Sequence, residues 1–200
     1  MPENDIVTLQ VGNKLLRIVV RECGCGLQGL RERFGSVAVS AINPSVSVEV
    51  IAQQLDDQVL PGLLQGVDVV VDATDNYPVR YSLNRVCLDS GTPLVSGAAV
   101  RLEAQLTVFD PVSGGPCYRC LYPQQGATGA LNCSESGVLA PVVGALGSLQ
   151  ALEVIKLISG VGKLLRGRLM MLDLATHEVR YLTLRARDDC PDCAHLRAAR

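Results

Sequence analysis

The sequence predicts an α/β fold in which helices flank a mainly parallel, Rossmann-like sheet. The run VDVVVDATDN, residues 67–76, is almost continuously β-branched, as in a strand that is covered on both faces. A segment with helical character, YPVRYSLNRVCLDS, follows it, and the apolar strand PLVSGAAV comes next. Strand, helix and strand in this order indicate a βαβ unit, from which parallel sheets are built.

Periodicity and turn residues predict the remaining elements. LLRIVV and SVSVEV are predicted strands that precede the βαβ unit, and AQLTVFD is a predicted strand that follows it. Asn76 is expected to cap the helix of the unit and Gly91 to end it. Residues 137–160 have the pattern of a long helix with a broad apolar face, and RLMMLDLATHEVRYLTL has the pattern of a C-terminal hairpin. Since no linker interrupts the chain, residues 1–200 are predicted to form one domain.

Composition limits the classes of protein and of partner. The chain has 200 residues, a hydrophobic content of 48% and a net charge of −2, so it can bury a core and has no field that would attract nucleic acid or an anionic membrane. With five Tyr, two Phe and no Trp, the core is expected to be aliphatic. The N-terminus does not resemble a secretory signal, and the apolar stretch 137–152 is short for a membrane span. A cytoplasmic location is therefore expected, where paired cysteines are more often metal ligands than disulfides.

Two C-x-x-C motifs, in GGPCYRC and DDCPDC, predict a zinc site. Four thiolates can converge on one tetrahedral Zn²⁺, and four ligands leave no open coordination position, so the metal would be structural. Because the motifs lie far apart in the sequence, the metal would clip two distant segments together. Redox dithiols or buried free thiols are the alternatives, but a thioredoxin-like centre does not explain the second motif. The predicted ligands are Cys117, Cys120, Cys190 and Cys193.

Two other motifs could bind a nucleotide. Asp72 and Asp75 stand at the carboxyl end of a predicted parallel strand, where open α/β sheets bind ligands and a carboxylate could hold Mg²⁺. The alternative is that Asp75 or Asn76 only caps the next helix. The motif GCGLQG matches a phosphate-binding G-x-G-x-x-G loop, although it does not follow the strand LLRIVV directly. Its glycines are Gly24, Gly26 and Gly29.

A further cysteine, Cys133, lies in NCSESG shortly before the long predicted helix. The positive end of a helix dipole favours a thiolate and therefore a nucleophile. The alternative is an ordinary loop cysteine. Cys87 lies inside the amphipathic helix of the βαβ unit and is expected to be a core residue.

Five motifs in order resemble the MoeB/ThiF/HesA family of ubiquitin-activating-like adenylyltransferases: VVVDATDN, PLVSGAAVRLEAQLTVFD, GGPCYRC, NCSESGVLAPVVGALGSLQALEVIK and CPDC. The resemblance makes residues 41–200 the family-like part of the predicted domain. It implies an enzyme that uses ATP and Mg²⁺ to adenylylate the C-terminal Gly-Gly of a ubiquitin-like sulfur carrier. A sulfur donor, a cysteine desulfurase or a rhodanese, would then form the thiocarboxylate for molybdopterin synthesis, thiamin synthesis or tRNA thiolation.

The resemblance also implies roles for particular residues. Asp75 would be the aspartate that holds Mg²⁺ and ATP, together with its neighbour Asn76. Cys133 would be the cysteine that forms a thioester or persulfide-linked intermediate with the carrier. The two C-x-x-C motifs would hold the zinc ion. The family further implies a homodimer, for which the helix at residues 144–158 is a candidate interface.

Residues 1–40 depart from the family pattern and are expected to form an atypical or truncated ATP-binding part. No acidic ribose-binding residue, Ser-Asn-Leu-x-Arg-Gln element or phosphate-binding Lys lies between Gly29 and Asn43. The alternative function is therefore that of a catalytically impaired, truncated paralogue or isoform, which is stabilised by zinc and acts as a carrier-binding or dimerisation partner. A third hypothesis, an NAD-dependent oxidoreductase, has only the glycine motif in its favour, because no acidic ribose partner or catalytic His is evident. The two His residues are His177 and His195.

Overall fold

The computed structural model describes residues 4–11, 14–21, 37–53, 57–123 and 136–198. The strands are β1 (Asn4–Val11), β2 (Lys14–Arg21), β3 (Ser47–Gln53), β4 (Val69–Ala73), β5 (Leu94–Val100), β6 (Glu103–Phe109), β7 (Arg168–Asp173) and β8 (Glu178–Thr183). The α-helices include α1 (Leu60–Leu64), α2 (Tyr77–Ser90), α3 (Tyr118–Leu121), α4 (Ala140–Ser159) and α5 (Ala194–Ala198). The α/β class and the C-terminal hairpin of β7 and β8 are confirmed.

The sheet is mixed, which corrects the expectation of a mainly parallel one. Its strand order is β3-β1-β2-β4-β5-β6-β7-β8. Only β2, β4 and β5 are parallel neighbours, and the other pairings are antiparallel. Short turns join β5 to β6 and β7 to β8, and strands joined in this way pair antiparallel, whereas β4 and β5 are joined by a crossover through α2. Strand β1 was not among the sequence-based predictions.

Both faces of the central strands are buried, as the β-branched run predicts. Val70 of β4 and Leu94 of β5 pack in one cluster with α1 and α2. Val69, Val71 and Val95 pack on the opposite face, in a cluster that includes residues of α4, β6 and β7. The alternation along β4 and β5 follows from the period of two in a strand, and it gives the domain helices on each side of the sheet.

The core is not purely aliphatic, contrary to the expectation from composition. Aromatic rings gather on the face that carries α2, around Tyr118. The Tyr118 ring centroid lies 5.2 Å from that of Tyr81, 6.1 Å from that of Phe109 and 5.0 Å from that of Tyr122. A small number of aromatic residues can thus dominate one side of a core when they are concentrated in one place.

Helix α2 begins and ends where the cap residues predict. The Asn76 side chain accepts a hydrogen bond from the Val79 N–H at 3.0 Å, and Gly91 ends the helix with a left-handed φ of 71°. Cys87 is buried in this helix, in agreement with the prediction that it is a core residue.

Helix α4 is longer than the apolar stretch considered from the sequence. By length and composition alone, its 20 residues with a mean hydropathy of 1.5 are enough to cross a membrane, because the helix extends beyond the stretch 137–152. One face of α4 packs against β4, β5 and β6. Two polar residues of the helix are buried and bonded within the domain: Gln150 donates to the Asp72 carbonyl at 2.8 Å, and Glu153 accepts from the Leu165 N–H at 3.0 Å.

Gly97 in β5 leaves the space that the Gln150 side chain occupies. A Cβ at position 97 would lie 2.5 Å from Gln150 Nε2. We expect Gly97→Ala to lower the free energy of unfolding by about 2 kcal/mol, because the buried amide must move and give up its bond to the Asp72 carbonyl. Urea unfolding measures this change. Gly62→Ala is the matched control, since a Cβ there meets nothing within 4 Å.

A double-mutant cycle tests the cause. Once Gln150 is replaced with Ala, the new methyl group at position 97 has room, so Gly97→Ala should cost little in that background. If the losses in free energy of unfolding caused by Gly97→Ala and Gln150→Ala were additive, the steric explanation would be wrong.

Candidate functional site

The turn after β4 lies at the carboxyl ends of the parallel strands β4 and β5, where the sequence predicts a ligand site. Asp72, inside β4, is fully buried. Its Oδ1 accepts from the Thr74 N–H at 2.9 Å and from the Thr74 hydroxyl at 2.7 Å, and its Oδ2 accepts from the Ser96 hydroxyl at 3.1 Å. Asp72 therefore belongs to the buried support of the turn, in contrast to the prediction that it binds a cofactor.

Asp75 and Asn76 lie at the surface end of the same turn, and both are half-buried. Asn76 caps α2 through its Oδ1, so this oxygen is already used in a hydrogen bond that stabilises the helix. The carboxylate of Asp75 stands three residues beyond that of Asp72 and is reached by solvent. Of the two predicted carboxylates, Asp75 is the one that a metal ion could approach.

Arg80 lies beneath the turn and was not predicted from the sequence. Its Nε is 3.5 Å from Asp72 Oδ2, and its Nη2 donates to the Thr74 carbonyl. Burial lowers the pKa of Arg80, but the Asp72 carboxylate and the neighbouring tyrosines outweigh it, so the net shift is upward. The guanidinium is therefore a permanent positive charge inside the domain.

A cleft of about 350 Å³ opens beside this turn, at the same edge of the sheet. Its volume is in the range of small-molecule and peptide sites. Tyr77 and Arg80 of α2 form one wall, the carboxyl end of β5 and the start of β6 form the floor, and the facing ends of β7 and β8 form the other wall. The polar groups that line it include Glu103, Gln105 and Arg180.

The four predicted metal ligands meet in one place. All are buried, and their Sγ atoms lie within 4.8 Å of one another. The sulfur–sulfur distances are 3.5 Å for Cys120–Cys193, 3.6 Å for Cys117–Cys190 and 3.9 Å for Cys117–Cys120. Sulfur atoms bound 2.3 Å from a central zinc ion at tetrahedral corners would lie about 3.8 Å apart. The cluster therefore fits a tetrahedral zinc ion in both geometry and donor chemistry.

Local turns give each C-x-x-C motif its shape. Before the first motif, the Asp110 side chain accepts from the Val112 N–H at 3.1 Å, and Gly114 has a left-handed φ of 70°. The Cys120 N–H then donates to the Cys117 carbonyl at 3.0 Å, as α3 begins. In the second motif the Ala194 N–H donates to the Cys190 carbonyl at 3.0 Å and starts α5.

Side chains from outside the motifs complete the cysteine cluster. Asn84 in α2 is buried, accepts from the Tyr118 N–H at 2.9 Å and donates to Asp192 at 2.9 Å, so it joins the two motifs. Arg197 donates to Cys193 Sγ at 3.0 Å, and the Arg187 N–H donates to Cys120 Sγ at 3.4 Å. N–H donors stabilise thiolates, and such bonds are typical around metal-bound cysteines.

The thiols have shifted pKa values in opposite directions. Hydrogen bonds from the Cys117 thiol and from the Arg187 N–H lower the pKa of Cys120 to about 4. Burial raises the pKa of Cys193 to about 11. A divalent cation bound by all four sulfurs would displace the protons that the thiols carry.

The remaining predicted site residues lie outside the described part of the chain. Cys133 is one, and the glycines Gly24, Gly26 and Gly29 are the others.

Comparison with known proteins agrees with the motif order. A family model described as "ThiF family" matches residues 36–193. The chain belongs to the ThiF family. It is 44% identical over 156 residues to the molybdopterin-synthase adenylyltransferase of Escherichia coli K12, an alignment that covers 78% of this chain and 62% of the relative.

Two further relatives come from other organisms. The SAMP-activating enzyme E1 of Haloferax volcanii is 42% identical over 156 residues, covering 78% of this chain and 57% of the relative. The adenylyltransferase and sulfurtransferase MOCS3 of Arabidopsis thaliana is 39% identical over 193 residues, covering 96% of this chain and 40% of the relative. The chain therefore spans about three-fifths or less of the length of these relatives.

A solved structure with the same fold is Escherichia coli MccB with ATP. The TM-score is 0.68 at 18% identity, and the match covers 82% of this chain and 51% of MccB. At this identity the likeness supports the fold alone.

Proposed function

We propose that this ThiF-family chain adenylylates the C-terminal glycine of a ubiquitin-like sulfur carrier that ends in Gly-Gly, using ATP and Mg²⁺. One observation carries the proposal: Asp75 follows the parallel strand β4 and stands at the edge of the sheet where the cleft opens, in a chain that belongs to this family. Relatives named as adenylyltransferases at about 40% identity support it.

The chemistry requires a cation at this edge. When the carrier carboxylate attacks the α-phosphate of ATP, the α–β phosphoanhydride bond breaks and pyrophosphate leaves. Two negative groups must approach each other in this step, and a Mg²⁺ ion bound here would supply positive charge that lowers the cost of the approach. Asp75 would hold the ion, and Asn76 would contact the nucleotide from the same turn. Asp72 supports the turn from inside and touches neither. The motif Gly24–Gly29 is proposed to bind the phosphates.

The cleft is proposed to receive the carrier tail. Two extended residues span about 7 Å, and a Gly-Gly tail has no side chains to exclude it from a narrow site. The carbonyl and amide groups of such a tail need polar partners, which Gln105 and Arg180 can provide from the cleft lining. Its terminal carboxylate would end near the turn that carries Asp75.

ATP–pyrophosphate exchange tests the proposal. The chain loaded with zinc should exchange labelled pyrophosphate into ATP only when a carrier ending in Gly-Gly is present. A carrier that lacks its last glycine is the matched control. A folded, zinc-loaded chain that shows no exchange with any carrier would refute the proposal.

A second candidate function is a carrier-binding or dimerisation partner with impaired catalysis. The observation in its favour is that the family match begins at residue 36, after the glycine motif at residues 24–29. Calorimetry with Mg-ATP separates the two functions, because micromolar binding of Mg-ATP is expected of the enzyme and contradicts the second candidate.

The cysteine cluster is proposed to hold a structural Zn²⁺. The four-thiolate donor set, the burial of all four sulfurs and the tetrahedral spacing support zinc. The ion would tie α3 to α5 and so keep the chain after β8 attached to the domain.

Asn84 should help to retain this zinc. We expect Asn84→Ala to speed the transfer of zinc to a chromogenic chelator about tenfold, because both motifs lose a buried hydrogen bond that orients them. Ser82→Ala, a change of similar kind on the same helix, is the control. An unchanged transfer rate would show that the motifs do not depend on Asn84.

The remaining parts of the proposal concern partners and place. Cys133 would form the thioester or persulfide-linked intermediate, with sulfur supplied by a cysteine desulfurase or rhodanese in the cytoplasm. The pathway served would be molybdopterin synthesis, tRNA thiolation or thiamin synthesis. A homodimer is proposed through α4, because its outer face leaves Leu152 49%, Ile155 60% and Ile158 41% exposed.

A further inference from the structure

We propose that Arg80 is a positioning residue that holds the turn Thr74–Asn76 in the form that presents Asp75 to the nucleotide. The proposal rests on the proposed function of Asp75. It adds a residue that acts on the reaction through Asp75, although part of its side chain also reaches the wall of the cleft.

The contacts of Arg80 reach the turn from below. The residue lies in the first turn of α2, with its side chain 9% exposed, and the Asp72 carboxylate beside it is 0% exposed. Its Nε faces Asp72 Oδ2 at 3.5 Å, while its Nη2 donates to the Thr74 carbonyl. The Nε contact is an ion pair without a hydrogen bond, so the guanidinium combines one hydrogen bond with one ion-pair contact at a fixed angle, which a single ammonium group cannot do.

Thr74 is held at each of its polar groups. Its N–H and its hydroxyl both donate to Asp72 Oδ1, and its carbonyl accepts from Arg80. Thr74 is also only 3% exposed. The residue directly before Asp75 is therefore fixed in orientation by Asp72 and Arg80 together.

The residue directly after Asp75 is fixed as well. Asn76 accepts from the Val79 N–H through its side chain, and its carbonyl accepts from the Arg80 N–H at 3.4 Å. Asp75 thus lies between two anchored neighbours: the Arg80 side chain holds Thr74, and the backbone N–H groups of the first turn of α2 hold Asn76. An arrangement of this kind keeps a metal-binding carboxylate in one place before the substrate arrives.

Arg80→Lys tests this role without removing the buried charge. Lysine keeps a positive group near Asp72 but cannot also hold the Thr74 carbonyl. We expect kcat of ATP–pyrophosphate exchange to fall about thirtyfold and KM for ATP to change less than about threefold. The reason is that misplacing a reacting group by about 1 Å lowers the rate up to about a hundredfold. Arg85→Lys, on the exposed side of the same helix, is the matched control and should leave exchange unchanged.

A merely structural role is distinguished in two ways. In an Asp75→Asn background, Arg80→Lys should cause little further loss, because Arg80 acts through Asp75. Hydrogen exchange measured by mass spectrometry should show lost amide protection in peptides that cover residues 74–79, while peptides from β5 and β6 keep theirs. If Arg80→Lys does not fold, the double variant Asp72→Asn/Arg80→Met replaces it in the hydrogen-exchange experiment, because it removes both buried charges. The same loss of amide protection at residues 74–79 is expected.

Three results would overturn the proposal: unchanged protection at residues 74–79, equal loss of protection throughout the sheet, or losses of activity that are additive with Asp75→Asn. A wild-type chain without exchange activity refutes the proposed function instead. In that case the hydrogen-exchange comparison alone decides whether Arg80 orders the turn.

Discussion

Replacing Cys190 with Ser is expected to remove the zinc ion and to lower the free energy of unfolding by about 4 kcal/mol. The ion would join Cys117 to Cys190, which are 73 residues apart, and a cross-link that closes a loop of this length restricts the unfolded chain by about that amount. For a chain of this size the change corresponds to a fall in Tm of about 10 °C. Metal content by elemental analysis and thermal unfolding followed by circular dichroism measure the two effects.

Cys87→Ser is the matched control for this experiment. Cys87 is also a buried cysteine, but it lies in α2 outside the cluster. Its replacement should cost about 1–2 kcal/mol through burial of a hydroxyl group and leave the zinc content unchanged. If Cys190→Ser keeps both its zinc and its Tm, the cluster is not a structural clip.

Replacing Asp75 with Asn is expected to lower ATP–pyrophosphate exchange at least about a hundredfold. Asparagine has nearly the same shape but no charge, so the variant loses the anionic ligand for Mg²⁺ and with it several kcal/mol of transition-state stabilisation. The free energy of unfolding should change by less than about 1 kcal/mol, because Asp75 is half-buried and lies at the surface end of the turn. Exchange kinetics and urea unfolding of the same preparation test both statements.

Asp89→Asn makes the same chemical change at an exposed position at the end of α2 and should leave exchange unaffected. Asp75→Cys adds a test of metal contact. Thiolate prefers soft cations, so exchange that is low with Mg²⁺ should partly return with Cd²⁺. Full activity of Asp75→Asn with Mg²⁺ would show that this carboxylate does not hold the metal.

Local signals in the sequence were sufficient for most of the described fold around the βαβ unit. Asn76 and Gly91 delimit α2 because capping depends on a few neighbouring residues. The run of valines in β4 predicts burial on both faces, and Val69 and Val70 are buried on opposite sides. Strand direction was predicted less well, because the pairing of β6 with β7, or of β1 with β3, depends on partners that are distant in sequence.

The cysteine cluster shows the same division. Two identical spacings predicted that the four sulfurs would meet, and they do. Nothing in the spacing could indicate Asn84, whose bond to Asp192 joins residues 108 positions apart. An asparagine inside a helix is a weak signal, since most such residues face solvent.

The sequence by itself determined the family, the order of the central elements and the cysteines that cluster, because periodicity, caps and motif spacing are properties of short segments. Only the tertiary structure decided how Asp72 and Asp75, the two carboxylates after Val71, differ in exposure. The Ser96 hydroxyl of β5 donates to the Asp72 carboxylate, and the Arg80 guanidinium of α2 faces it. Gln150 of α4 covers the Asp72 carbonyl, so Asp72 is enclosed. Asp75 remains accessible at the edge of the sheet. Side chains from β5, α2 and α4 cause this difference in exposure, and only the packing of the folded chain brings them next to β4.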